Sequence, residues 1–204
     1  QPDKPFFVAV STIETHPGLD IIEDQVPYLD GSNAKLNMLH NFDRAFGDFW
    51  SDFKQSPWFE NTIVVVTADH AHTPSVLLKE VAGLDYPNEH FDTIAMLLRD
   101  PKQKLPAQMD VFSSSLDLAP SLLQLLGIRN EANSFMGLSL FGDRQQYPKA
   151  LGLMYNTKLS IADKNQYQVK SLSPEACSPP YQESLCALYN TIRYSHYLQF
   201  KQKF

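Results

Sequence analysis

The chain has 204 residues with 17 basic and 23 acidic side chains, a formal net charge of −6, and that length supports one large or two small domains with a buried core. Apolar residues at 43% and charged residues at 20% are the balance of a globular chain, not a disordered one. The acidic sum argues against the basic face that nucleic acid or an anionic membrane surface requires, and no apolar run reaches the ~20 residues of a membrane span.

Pro5 to Ile13 (PFFVAVSTI) reads as a buried strand behind a proline, ending in the turn-rich Glu14-Thr15-His16-Pro17-Gly18. Residues 17 to 31 are irregular and acidic, with Pro27 and Gly31 as breakers. A long amphipathic helix follows, because Leu36, Leu39, Phe42, Phe46, Phe49 and Phe53 step by three or four and make one apolar stripe. Ser32 is its expected N-cap, Ser56-Pro57 its stop, and Asp43, Arg44, Asp48 and Asp52 its solvated face.

Asn61 to Thr67 (NTIVVVT) carries four consecutive β-branched residues, Ile63 to Val66, the pattern of a central strand covered on both faces. Ala68-Asp69-His70-Ala71-His72 follows directly, then a short helix over Val76 to Val81 and a strand over Asp92 to Arg99 stopped at Pro101. Ser115 to Ile128 reads as a helix with Pro120 in its first turn and Gly127 at its C-cap. Its residues Leu116, Ala119, Leu123 and Leu126 are expected to face a sheet. Ala150 to Tyr155 and Gln166 to Val169 read as two antiparallel strands joined around Ala162-Asp163-Lys164-Asn165, and the tail from Tyr181 as a terminal helix. Strand, helix, strand, strand, helix is the rhythm of an α/β sheet with helices on both faces.

Cys177 and Cys186 stand nine apart near the C-terminus with no CxxC and no His at zinc spacing. They are two unrelated thiols or a disulfide closing a short loop. Their concentration in one loop region favours the disulfide, which implies an oxidising compartment. Gln1-Pro2-Asp3 opens without an initiator Met or a signal peptide and reads as a cut within a longer protein.

Asp69-His70 leads the residues that can carry chemistry. A carboxylate and an imidazole follow a buried β-branched run at once, and ligands of open α/β sheets bind beyond the carboxyl ends of strands. An anionic oxygen beside a neutral nitrogen suits Zn²⁺ or Mn²⁺. Against this stands the plainer role of an Asp that caps a turn and a His that packs. Thr15-His16-Pro17 ends another expected strand, so His16 could donate to an anionic substrate oxygen or relay a proton, or be a simple loop residue. His72, Glu89 and His90 are weaker candidates, and His40 and His196 have no partner at metal spacing. The chain has no GxGxxG and no GxxxxGK[ST]. Ser113-Ser114-Ser115 lacks the glycines of a nucleophile elbow and reads as a helix cap, and no paired carboxylates stand at glycosidase-like positions.

Three segments carry a resemblance in order and spacing: Pro5-Phe6-Phe7 to Thr15-His16-Pro17, Asn61 to His70, and Asp117-Leu118-Ala119-Pro120-Ser121-Leu122-Leu123 to Leu126-Gly127-Ile128. Ala107 to Val111 and Gly137 to Phe141 add to it. Over roughly residues 4 to 155 the chain resembles the C-terminal half of a sulfatase-like catalytic domain of the alkaline phosphatase superfamily. Within that superfamily it is most similar to the lipoteichoic acid synthase and phosphoglycerol transferase branch. The resemblance implies a sulfatase-like α/β/α sandwich present as a partial domain, over residues 1–148. Residues 149–204 would add a small antiparallel β element and a C-terminal helix packed on the same domain.

The resemblance also implies a site and a reaction. Asp69 and His70 match the adjacent Asp-His metal ligands of the family, for Mn²⁺ or Zn²⁺ with Mg²⁺ or Ca²⁺ as alternatives. His16 matches the His that contacts a phosphoglycerol head group. The family's Thr nucleophile and first acidic ligand lie upstream of Pro5 and have no counterpart in this chain, and Ala71 replaces a usual Gly after Asp-His. The implied protein transfers a phosphoglycerol head group from a phospholipid to an acceptor hydroxyl at the periplasmic side of the cell membrane, held there by upstream segments. A sulfatase or phosphodiesterase, and a sulfatase-like domain that binds without turnover, are the competing readings.

Overall fold

The computed structural model describes residues 4–13, 15–16, 26–71, 93–128, 135–142, 150–154 and 158–171, together with 190, 194, 197 and 201. These fall into two compact units, the first up to Thr62 and the second from Ile63 onward.

In the first unit, residues 5–13 are solvent-exposed, with Phe7 84% and Val10 80% exposed. The expected buried strand is thus corrected: the segment is neither buried nor paired as a strand among the described residues. Helix α1 spans Ala34–Lys54. Its N-cap is Asn33 and not Ser32: Asn33 Oδ1 accepts from Lys35 N and Leu36 N, both at 3.1 Å. Ser32 is drawn away by Asp30, whose Oδ1 accepts from Ser32 N and Oγ at 3.0 and 2.7 Å. Those two bonds also hold the Asp30 carboxyl below its ordinary range. The helix ends at Lys54, before Ser56-Pro57 as expected.

Its aromatic stripe stacks on itself along one side. Phe42 and Phe46 lie 6.4 Å apart, Phe46 and Phe49 6.1 Å, Phe49 and Phe53 5.7 Å. Phe59 closes the end edge-on to Trp50 and Phe53. The buried face of α1 is a different one, made by Lys35, Asn37, Met38 and Asn41. Two asparagine amides explain it. Asn37 Oδ1 accepts from Tyr28 N at 2.7 Å and its Nδ2 donates to Gly31 O at 2.9 Å. Asn41 Oδ1 accepts from Val26 N at 3.0 Å and its Nδ2 donates to Val26 O at 2.9 Å. The loop 26–31 therefore satisfies its backbone on side chains of the helix instead of a neighbouring strand.

In the second unit, β1 (Val64–Thr67) pairs antiparallel with β2 (Met96–Arg99), Val64 opposite Arg99 and Thr67 opposite Met96. The expectation of a central strand covered on both faces is corrected here. Val64, Val65 and Val66 are half-buried, and among the described residues β1 pairs with β2 alone, which leaves its faces partly open. β2 ends at Asp100-Pro101, where Asp100 Oδ1 accepts from Lys102 N at 2.8 Å.

The predicted helix at Ser115 begins as a 3-10 turn over Ser115–Asp117 and continues as α2, Leu118–Leu125. Ser114 and Asp117 form the capping box, as the serine run indicates, and Gly127 takes a left-handed φ of 76° beyond the last turn. Its buried stripe is Asp117, Ser121 and Leu125, whereas Leu116, Ala119 and Leu126 are exposed. The stripe turns this way because residues 135–142 are bonded to it. Leu138 N donates to Asp117 Oδ1 at 2.7 Å, Leu140 N to Ser121 Oγ at 2.9 Å, and Gln124 Nε2 to Phe141 O at 3.1 Å.

A three-stranded antiparallel sheet follows, in the order β3 (Ala150–Met154), β4 (Lys158–Asp163), β5 (Gln166–Ser171). The expected pairing of the first strand with the last is corrected: β4 lies between them and pairs with both. Leu159 and Ile161 of β4 form its small core, with Leu151 of β3 against them. Asn190, Tyr194 and Tyr197 are helical, in line with a terminal helix. The expected helix at 76–81, His72, Glu89, His90, His196 and the Cys177–Cys186 pair lie outside the described residues.

Candidate functional site

β1 delivers the leading pair. The ladder ends at Thr67, whose Oγ1 donates to Ala95 O across the ribbon at 3.0 Å, and the chain bends at once through Asp69 and His70. Both side chains project into solvent, Asp69 88% and His70 73% exposed. Asp69 Oδ1 accepts from the His70 amide at 2.9 Å, which ties the carboxylate to its neighbour's backbone. Asp69 Oδ2 and His70 Nε2 are then 3.6 Å apart.

The imidazole is oriented from its other side. His70 Nδ1 lies 2.8 Å from Ala71 O. A carbonyl accepts only, so this contact puts a proton on Nδ1 and leaves Nε2 as the ring nitrogen nearer Asp69. Metal-bound histidines are held in the same way, by a second hydrogen bond that fixes tautomer and ring plane. The separation also fits: a tetrahedral centre with bonds of ~2.0–2.2 Å has ligand atoms roughly 3.3–3.6 Å apart. Among the described residues no group of three or more His, Cys, Asp or Glu converges on one point, and Asp69 and His70 are the two such side chains brought together there.

His16 belongs to the first unit and is described within it. His16 N donates to Ile13 O at 2.9 Å, and His16 is exposed. The backbone here is also held from α1, where Lys35 Nζ donates to Thr15 O at 3.2 Å. Lys35 is only 5% exposed, and its burial lowers the ammonium pKa from the ordinary 10.5. No motif marks Lys35 in the sequence. Asn37 and Asn41, at four-residue spacing, mark a polar strip of the helix, but Lys35, two residues before Asn37, lies off that strip and carries no such signal. His40 packs its ring 5.7 Å from Tyr28 and takes a structural place.

Two comparisons with known proteins bear on these residues. A solved structure of a protein in the alkaline phosphatase superfamily from Vibrio parahaemolyticus shares 24% identity and superposes with a TM-score of 0.59. The match covers 78% of this chain and 37% of that one, so the chain spans little more than a third of its structural neighbour, as a partial domain of that fold. The family model described as Sulfatase matches residues 1–128, which include His16, Asp69 and His70. The chain belongs to the Sulfatase family.

Proposed function

We propose that this chain is the C-terminal part of a metal-dependent phosphoryl transferase. It would move a phosphoglycerol or related head group from a phospholipid to an acceptor hydroxyl, with a Thr or Ser nucleophile supplied by sequence upstream of residue 1. The observation that carries the reading is the Asp69–His70 pair, with Oδ2 and Nε2 3.6 Å apart and Nδ1 committed to Ala71 O. Asp69 and His70 would hold a divalent cation, Mn²⁺ or Zn²⁺ by their donor types. When bound, such a cation lowers the pKa of the nucleophile and stabilises charge on the phosphoryl oxygens.

The chain's own residues have distinct tasks. Asp69 contributes negative charge and, through its bond to the His70 amide, rigidity. His70 contributes a ring nitrogen, and the Ala71 carbonyl fixes the orientation of the ring. His16, exposed and with its amide bonded to Ile13 O, would donate a hydrogen bond to an anionic oxygen of the head group. A phospholipid donor would call for action at the periplasmic side of the cell membrane, with the protein held there by upstream segments. Sulfate-ester hydrolysis is the second reading, favoured by the family description itself.

The test offers the full-length protein, with Mn²⁺, phosphatidylglycerol in one assay and an aryl sulfate in another. Release of diacylglycerol without aryl sulfate cleavage is expected. Cleavage of the aryl sulfate alone would assign a sulfatase, and neither product with a folded, metal-loaded protein would assign a binding domain.

A further inference from the structure

We infer that Lys35 is a positioning residue for His16: it locks, from helix α1, the peptide plane that presents the imidazole. This rests on the proposed contact of His16 with the anionic head group. Two hydrogen bonds meet on one peptide group. Thr15 O accepts from Lys35 Nζ at 3.2 Å, and the N–H of the same peptide, that of His16, donates to Ile13 O at 2.9 Å. A peptide unit is planar, so holding its oxygen from one side and its hydrogen from the other removes the freedom of that plane to rock. The direction of the His16 Cα–Cβ bond follows from that plane and one remaining dihedral.

Stability does not account for this lysine. Burying an ammonium costs desolvation, and ordering a Lys side chain costs rotamer entropy. In return Lys35 makes one side-chain hydrogen bond among the described residues, to a neutral carbonyl. It also stands at the second position of α1, where the helix dipole opposes a positive charge. Met would fill the same space without those costs. Such a violation of local preference is what a functional constraint produces. A misplacement of about 1 Å at a substrate-contacting group is enough to cost roughly 100-fold in rate.

The experiment uses the full-length protein with Lys35→Met, Lys35→Arg, His16→Ala and the Lys35→Met/His16→Ala double variant. Amide hydrogen exchange of the segment around residues 13–16 is read first. Lys35→Met is expected to accelerate exchange of the His16 amide about tenfold while α1 stays protected, and Lys35→Arg, which keeps a donor, to restore protection. Unchanged exchange in Lys35→Met overturns the clamp whatever the enzyme does. Diacylglycerol release is read second. Lys35→Met is expected to lower kcat/KM between about 10- and 100-fold, and to cost nothing further on the His16→Ala background. A full additional loss in the double variant overturns the positioning role. If His16→Ala alone leaves turnover intact, the proposed head-group contact fails, and the exchange result still decides the clamp.

Discussion

Ser121 Oγ donates to the carbonyl of Asp117 one turn back at 2.6 Å and accepts from the amide of Leu140 at 2.9 Å. With an exposure of 0%, this hydroxyl is a buried bridge between α2 and residues 135–142. Replacing it with Ala removes both bonds and strands the Leu140 N–H away from water. A buried donor left without a partner costs about 1–3 kcal/mol. Ser121→Ala is expected to lower the thermal midpoint accordingly, with no change in metal affinity. Calorimetry together with Mn²⁺ titration of the full-length protein checks both halves of that statement.

Gly137 meets the same helix at closer range. A Cβ built there would penetrate the backbone of Leu116 and come 2.7 Å from Asp117 N. The obstacle is main chain held by the capping box of Ser114 and Asp117, so it cannot swing aside as a flexible side chain could. Gly137→Ala is expected to cost about 3 kcal/mol or more, in the range of severe overpacking. A chemical-denaturation midpoint equal to that of the parent would contradict it.

Asn37 gives a third case, in the first unit. It is 1% exposed, and its amide satisfies Tyr28 N and Gly31 O together. Asn37→Leu keeps the helix-forming character and the volume class but strands both backbone groups, a loss of roughly 2–4 kcal/mol if each costs 1–2. Proteolysis within loop 26–31 is the direct readout, and faster cleavage there than elsewhere is expected.

These three residues also mark where the sequence was legible and where it was not. Helix α1 was readable because its aromatic residues recur at three and four. Which face it buries was not, because periodicity registers hydrophobicity and is blind to the hydrogen bonds by which Asn37 and Asn41 cover a loop. The run Ile63 to Val66 announces β1, but its antiparallel partner β2 is chosen by tertiary pairing over an intervening 28 positions, Thr67 to Ala95. Strand β4 has a weak sequence signal because Leu159 and Ile161 are its only large apolar residues, between the charged Lys158 and Asp163. At the site, Asp69 and His70 stood out as a carboxylate and an imidazole directly behind a β-branched run. The Ala71 carbonyl that orients the ring is backbone, and Lys35 acts on backbone, so neither carries a side-chain signature in the sequence.

Lys35 makes stability depend on pH with a definite sign. Its folded-state pKa lies below the 10.5 of the exposed group because burial disfavours the ammonium. Between those two values the unfolded chain binds more protons than the folded one, so stability rises with pH across that window and levels off above 10.5. Lys35→Met removes the dependence. The stability difference between Lys35→Met and the parent, measured by urea denaturation, is therefore expected to favour the variant at neutral pH and to shrink as the pH approaches 10.5. A difference independent of pH would show that the charge is not penalised in the folded state.

The Asp69–His70 pair yields the sharpest expectation for the metal. The two donors seen among the described residues are one short of the three protein ligands typical of a catalytic zinc, and the 204-residue chain alone is expected to show no metal-dependent ester turnover. In the full-length protein, His70→Ala removes the oriented nitrogen and Asp69→Ala the anionic oxygen. Each is expected to weaken Mn²⁺ binding by at least about 100-fold, the upper end of the effect of losing an outer-shell partner. Asp69→Asn separates charge from placement: it keeps an oxygen able to accept from the His70 amide at the present 2.9 Å but removes the negative charge. If geometry alone sufficed, Asp69→Asn would bind as the parent does. If charge neutralisation of the cation is what holds it, Asp69→Asn follows Asp69→Ala, and titration calorimetry with Mn²⁺ on the intact protein distinguishes the two.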